Sequence, residues 1–201
     1  YLLRHEAADS TLYASLHPDS PSIEHRLRCI EALKRCGYQV GMGMMIGVKG
    51  QTINHIAQDL QLIAQYECEM VGIGPFLPHQ ATPLGGEPAG RLNTTLAAVA
   101  IARIMLPHAL IPSTTALATL TPTGRCEGIL SGANVVMPNL SPMSAKQKYE
   151  LYDNKAYGGS EAAKNVEELK ARMDAIGYHV VTDRGDIKET NERRGNTDGS
   201  L

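Results

Sequence analysis

The sequence has no tryptophan and a single phenylalanine, Phe76. Leucine, isoleucine, valine and methionine must therefore build its core. Cysteine is sparse: Cys29, Cys36, Cys68 and Cys126 form no C-x-x-C pair and no tighter cluster. That spacing argues against structural zinc, and a chain of 201 residues has no need of a disulfide framework. Reduced cytosolic thiols, packed as small apolar groups, are expected. An excess of either charge is also missing, with 19 Lys and Arg against 21 Asp and Glu, a net −2. This argues against nucleic acid or an anionic membrane as a partner. No apolar run reaches the ~18 residues of a membrane span. The chain starts at Tyr1 without an initiator Met, and nothing there resembles the remnant of a signal peptide. An excerpt of a longer cytoplasmic protein is the expectation.

What is present is an ordinary globular balance, 43% hydrophobic and 20% charged. Apolar segments of strand length alternate with helical periodicity. Tyr1–Glu6 is a short apolar-to-charged run. Ile23, Leu27, Ile30 and Leu33 mark a helix stopped by Gly37. Val40–Gly47 reads as a strand, and Ile53, Ile56, Leu60 and Ile63 as the next helix. Met70–Leu77 is a strand, Leu92–Leu106 a long helix, and Ala109–Thr115 a strand carrying Pro112. A short helix at Gly124–Leu130 precedes a strand at Ala133–Pro138. Helices at Ser144–Tyr152 and Ser160–Ile176 follow, with a short strand at Tyr178–Thr182. From Asp186 to Leu201 the chain is polar and aperiodic, as in a disordered tail.

Strands alternating with helices imply βαβ units in a parallel sheet, either doubly wound or closed as a (β/α)8 barrel. No glycine fingerprint for a dinucleotide opens any helix. Strand parity adds a second point. Gly41, Gly43, Met45 and Gly47 share one face, opposite Val40, Met42, Met44 and Ile46. Gly72 and Gly74 share a face with Met70 and Phe76, opposite Val71 and Ile73. The bulky faces should pack on helices and the glycine faces should look inward. Glycines facing inward leave a void, and Arg4 and Glu6 would point into it. Room plus a charged pair is what an internal ligand site requires. The bland alternative is glycine bulges with a self-satisfied Arg4–Glu6 pair.

Five segments in order carry a resemblance: YLLRHE at 1–6, GMGMMIGVKGQT at 41–52, MVGIGPFLPH at 70–79 with TPL at 82–84, IPSTTA at 111–116, and GANVVMPN at 132–139. Gly177-Tyr178 and DRGD at 183–186 continue it. Together they resemble the HydE family, the radical S-adenosylmethionine (SAM) maturases of FeFe-hydrogenase, with biotin synthase and methylornithine synthase as close relatives. The resemblance implies an α/β fold of the radical SAM superfamily, a TIM-type (β/α)8 barrel. A complete barrel takes roughly 250 residues, so the chain would be a fragment of it. Residues 1–143 would supply strands four to eight, 144–185 a C-terminal helical extension closing the barrel, and 186–201 the tail.

The resemblance also implies roles. Arg4, Glu6 and Arg26 would hold the amino-acid end of SAM, with Met45 and Leu77 as apolar contacts for adenine. Met70, Thr114, Thr115, Arg125, Met137, Tyr149 and Tyr152 would line the substrate cavity. Lys49 stands where the family motif has proline. The family's 4Fe-4S cluster, bound by a three-cysteine loop, would belong to a segment missing here, since none of the four cysteines matches it. A second cluster is not expected, because residues 155–160 carry no cysteine. The implied activity is reductive cleavage of SAM to a 5′-deoxyadenosyl radical. That radical would act on a small-molecule or organometallic, iron-containing precursor of the di-iron subcluster, with other hydrogenase maturases as partners. Two alternatives stand beside it. One is a radical SAM enzyme acting on a small organic substrate, like biotin synthase or methylornithine synthase. The other is a catalytically incompetent fragment that binds SAM weakly at most.

Overall fold

The computed structural model describes residues 1–19, 21–138, 162–182 and 185. Its centre is a pair of parallel strands, β1 (Gly41–Ile46) and β2 (Met70–Pro75), in register from Gly41 opposite Met70 to Ile46 opposite Pro75. Parallel bridges extend this layer on both sides. Leu2 pairs with Gly41 and Glu6 with Met44 on one side; Met70 pairs with Leu110 on the other, and Pro112 with Val135 beyond it. The layer therefore runs through five chain segments in sequence order, as the βαβ reading expected.

Only β1 and β2 form a continuous ladder among the described residues, and the interruptions have local causes. Glu6 takes a positive φ of 69° as its N–H bonds the Gly43 carbonyl. Pro112 has no N–H to give, and the Ile111 N–H goes to the Asn134 side chain, 2.8 Å. Ala109–Thr115 is thus not a regular strand. Its end is helical, because Thr114 caps the helix that starts at Thr115.

Helices connect these segments. α1 (Ser10–Leu16) is capped by Asp9, whose carboxylate accepts from the Leu12 N–H at 2.8 Å. α2 (Ile23–Arg35) buries Ile23 and Ile30 and places Lys34 and Arg35 in its last turn, where the helix dipole favours cations. Gly37, at φ 79°, closes it. α3 (Ile53–Gln65) opens on a capping box between Thr52 and His55. α4 (Leu92–Met105) follows β2. α5 (Thr115–Leu120), α6 (Gly124–Leu130) and α7 (Ala162–Asp174) complete the described elements. The periodicity located α2, α3, α4, α6 and α7, and missed the short α1 and α5.

The short strand expected at Tyr178–Thr182 is absent. Gly177 at φ 82° turns the chain, and the Tyr178 N–H bonds back to the Met173 carbonyl at 3.0 Å. Those groups end a helix and do not extend a sheet. The helix expected at Ser144–Tyr152, residues 144–161 of the proposed 144–185 extension and the 186–201 tail lie outside the described residues.

The main core lies between the sheet and the helices. Val40, Met42, Met44 and Ile46 of the β1 run, with Val71 and Ile73 of β2, are buried there against Ile30, Ile63 and Val99. Each such side chain contributes about 1.5–3 kcal/mol. The parity reading holds for this face: the bulky side chains pack on helices. A second cluster gathers Ala7, Leu12, Tyr13, Ile23, Val48 and Phe76 at the other end of the layer. Of the cysteines, Cys68 is buried, Cys29 and Cys126 are half-buried and Cys36 is exposed, all as free thiols. The description as packed apolar groups therefore fails for Cys36.

Candidate functional site

The opposite face of the sheet is the glycine face. Gly43 and Gly72 stand in register on adjacent strands. A Cβ on Gly43 would run into the Gly72 carbonyl and lie 3.2 Å from Cγ of Arg4; one on Gly72 would lie 4.0 Å from Cδ of Arg4. The Arg4 stem therefore crosses both glycines. Leu2 lies over Gly41, with 2.7 Å to a hypothetical Cβ, and Thr114 lies over Gly74 at 3.0 Å. Much of the room left by the missing side chains is taken by side chains of the same face.

At the C-terminal ends of the strands the charged groups converge. The Arg4 guanidinium donates to the Met44 carbonyl at 2.5 Å, and its Nε lies 3.3 Å from Oε1 of Glu6. The self-paired alternative is thus correct for one carboxylate oxygen. The other, Oε2 of Glu6, is buried and has no hydrogen-bond partner among the described residues. Arg26 on α2 is not a solvated helix charge. Its Nε donates to the Tyr13 hydroxyl at 2.9 Å, its Nη1 to the Arg4 carbonyl at 2.7 Å, and its guanidinium lies 5.4 Å from the Tyr13 ring centroid. His17 tilts against the same ring at 4.7 Å. Burial holds the His17 pKa below its ordinary value, the Arg26 charge adds to this, and Glu6 opposes it.

Tyr13 and His17 were not singled out from the sequence, because α1 was not. The signal that locates them is Asp9 three residues ahead of Leu12, an N-cap that starts a helix inside a stretch otherwise read as loop.

The structure does not bring all the sequence candidates together. Arg4, Glu6 and Arg26 form one group. Met45 packs on the cluster that contains Tyr13 and Phe76, and Leu77 is half-buried just beyond β2. Thr114 accepts from the Leu117 N–H at 3.4 Å and caps α5; Thr115 is half-buried at its first turn. Arg125 is half-buried, and its carbonyl accepts from the Ser113 hydroxyl at 2.8 Å. Met70 starts β2 and pairs with Gly41, four residues before Gly74, so about 13 Å of strand separates it from the Thr114 end. Met137 is 53% exposed. Tyr149 and Tyr152 lie outside the described residues. An open groove of about 550 Å³ beside the start of α4 is lined by Gly90, Arg91, Asn93, Thr94 and Leu120, and shares no residue with the charged group.

The loop after β1 is clamped by one side chain. Gln51 accepts from the Gly47 N–H at 2.6 Å and donates to the Met45 carbonyl at 2.8 Å. Lys49, the departure from the family motif, points to solvent and pairs with Glu87 at 2.7 Å. It leaves the strand end undisturbed.

Chemically, a buried unpartnered carboxylate oxygen accepts from an ammonium, and two neighbouring guanidiniums suit a carboxylate. The group fits a ligand that carries both, as an amino-acid moiety does. An iron–sulfur cluster does not fit: among the described residues no three His, Cys, Asp or Glu side chains gather for a metal ion. No helix among the described residues is long and apolar enough to cross a membrane.

No family model matches the chain. Among curated proteins it is 48% identical over 155 residues to the FeFe hydrogenase maturase subunit HydE of Thermotoga maritima, covering 77% of this chain and 44% of that protein. It is 27% identical over 175 residues to the 3-methylornithine synthase of Methanosarcina barkeri, covering 87% and 48%. It is 29% identical over 122 residues to the biotin synthase of Chlorobium phaeovibrioides, covering 61% and 36%. The chain spans about half or less of the length of these relatives. The resemblance carried by the motifs is borne out: the chain is a relative of HydE and, more distantly, of the two synthases.

Proposed function

We propose, from this relationship to HydE, that the chain supplies the SAM-holding half of a radical SAM enzyme of FeFe-hydrogenase maturation. Its five parallel segments would then be strands four to eight of a (β/α)8 barrel. The observation that carries the site is Oε2 of Glu6, buried without a hydrogen-bond partner among the described residues, in the group that Arg4 and Arg26 form. Glu6 would accept from the SAM ammonium. Arg26, fixed by the Tyr13 hydroxyl and the Arg4 carbonyl, would face the SAM carboxylate with its charge already oriented. Met45 and Leu77 would give adenine an apolar wall. Thr114, Thr115 and Arg125, with Met70, Met137, Tyr149 and Tyr152, would line the substrate side. Bound SAM supplies radical chemistry on reductive cleavage; the part of the barrel is to hold it and keep water out. The iron–sulfur cluster would be held by residues other than those described.

The higher identity to HydE, 48% against 27% for the methylornithine synthase, favours an iron-containing precursor over a small organic substrate. The test is complementation. The protein carrying this chain should restore hydrogenase activity to a strain deleted for its own HydE. Failure by a well-folded protein would contradict the maturase function and return the organic-substrate alternative.

A further inference from the structure

Directly behind the charged group lies a buried pair that the proposed function does not use. His5 and Asp59 are both 0% exposed, and Nε2 of His5 lies 3.2 Å from Oδ1 of Asp59. The same Oδ1 accepts from the Ala8 N–H at 2.6 Å. Asp59 stands on α3, so one helix grips the first segment on both sides of Glu6. Between the two grips Glu6 holds φ 69°, a conformation that a residue with a side chain adopts only when its surroundings impose it.

A buried polar pair is a poor way to gain stability unless all its hydrogen bonds are made, since well-packed apolar residues do as well or better. This pair also leaves Nδ1 of His5 and Oδ2 of Asp59 without hydrogen-bond partners among the described residues. Its placement explains it better. His5 sits on the helix side of the segment, and its neighbours Arg4 and Glu6 on the ligand side. Fixing His5 and Ala8 from behind fixes the peptide on which the Glu6 carboxylate is aimed.

We propose that Asp59, acting through His5 and the Ala8 N–H, is a positioning residue that imposes the left-handed backbone of Glu6 and so aims its free carboxylate oxygen at the ligand ammonium. This rests on the assignment of Glu6 to SAM, and the experiment separates the two. Calorimetry with SAM is run on the full chain and on four variants, each checked for fold by circular dichroism. The unaltered chain binds, and Glu6→Gln weakens binding at least tenfold. Asp59→Asn keeps the accepting oxygen and stays within threefold. The double variant His5→Met/Asp59→Leu, an apolar replacement that packs, loses about tenfold. In the Glu6→Gln background the same double variant loses less than twofold, because its effect passes through Glu6.

Equal loss in both backgrounds, or wild-type affinity in the folded double variant, overturns the positioning role and leaves Glu6 as a ligand. No binding by the unaltered chain, or no effect of Glu6→Gln, overturns the SAM assignment and this role with it. Should the double variant not fold, Asp59→Leu alone, checked for fold in the same way, removes the acceptor for both His5 and the Ala8 N–H and must reproduce the tenfold loss.

Discussion

The two faces of the parallel layer are cut from the same strands, yet they follow different rules. On the helix side every second residue is bulky: Val40, Met42, Met44 and Ile46 are buried among helices. On the other side Gly41 and Gly43 of the same strand precede Met45, and Gly43 meets Gly72 in register. The first face is closed and apolar, and its energetics are those of packing. The second holds Arg4 across the glycines and leaves a carboxylate oxygen of Glu6 without a hydrogen-bond partner among the described residues. One strand thus packs on helices with its even positions and, with Gly41 and Gly43 at odd ones, leaves room for Leu2 and the Arg4 stem. The two should respond differently to substitution.

The largest effect is expected on the packed face. Ile73→Ala should cost about 2–5 kcal/mol of unfolding free energy, measured by urea denaturation, because the site is fully buried. Gly43→Ala comes next, at about 1–3 kcal/mol, since its Cβ meets the Gly72 carbonyl. A fully tolerated Gly43→Ala would mean that the strands do not approach as described, and that the glycine face is looser than drawn.

Thiol chemistry sharpens the same contrast. Burial pushes the Cys68 thiol up to about 12, whereas Cys36 is exposed. At pH 8 iodoacetamide should label Cys36 and leave Cys68 untouched in the native chain, read by peptide mass spectrometry. Rapid labelling of Cys68 would show that the packed face opens.

The smallest effect concerns His17. Burial and the Arg26 charge lower its folded pKa, so the unfolded chain binds its proton first as pH falls. Its contribution is present above the ordinary histidine pKa and is lost on acidification below it. The melting temperature should therefore rise slightly between pH 5 and 7, and His17→Gln should flatten part of that rise.

The sequence made much of this legible because period-two parity and helical periodicity are local signals. Val40 to Gly47 showed both faces of β1, and Ile23 to Gly37 showed α2 with its stop. Arg4 and Glu6 were visible as charges on a glycine face. What stayed hidden depends on contacts far along the chain. His5 looked like one residue of a motif until Asp59, on α3, came to lie against it. Arg26 could not be told from a solvated charge until α1 brought Tyr13 to it. The regular strand expected at Ala109–Thr115 failed because Pro112 and the Asn134 side chain change the hydrogen bonding there, which composition alone does not weigh.

The central claim is that the glycine face, at its charged end, holds the amino-acid part of SAM. Its most direct test is titration of the chain with SAM by calorimetry, comparing Glu6→Gln on the ligand face with Met44→Leu on the packed face. The account predicts at least a tenfold loss for Glu6→Gln, about 1.4 kcal/mol, and an unchanged affinity for Met44→Leu. Equal affinities for the two variants, or no binding by the unaltered chain, would contradict it.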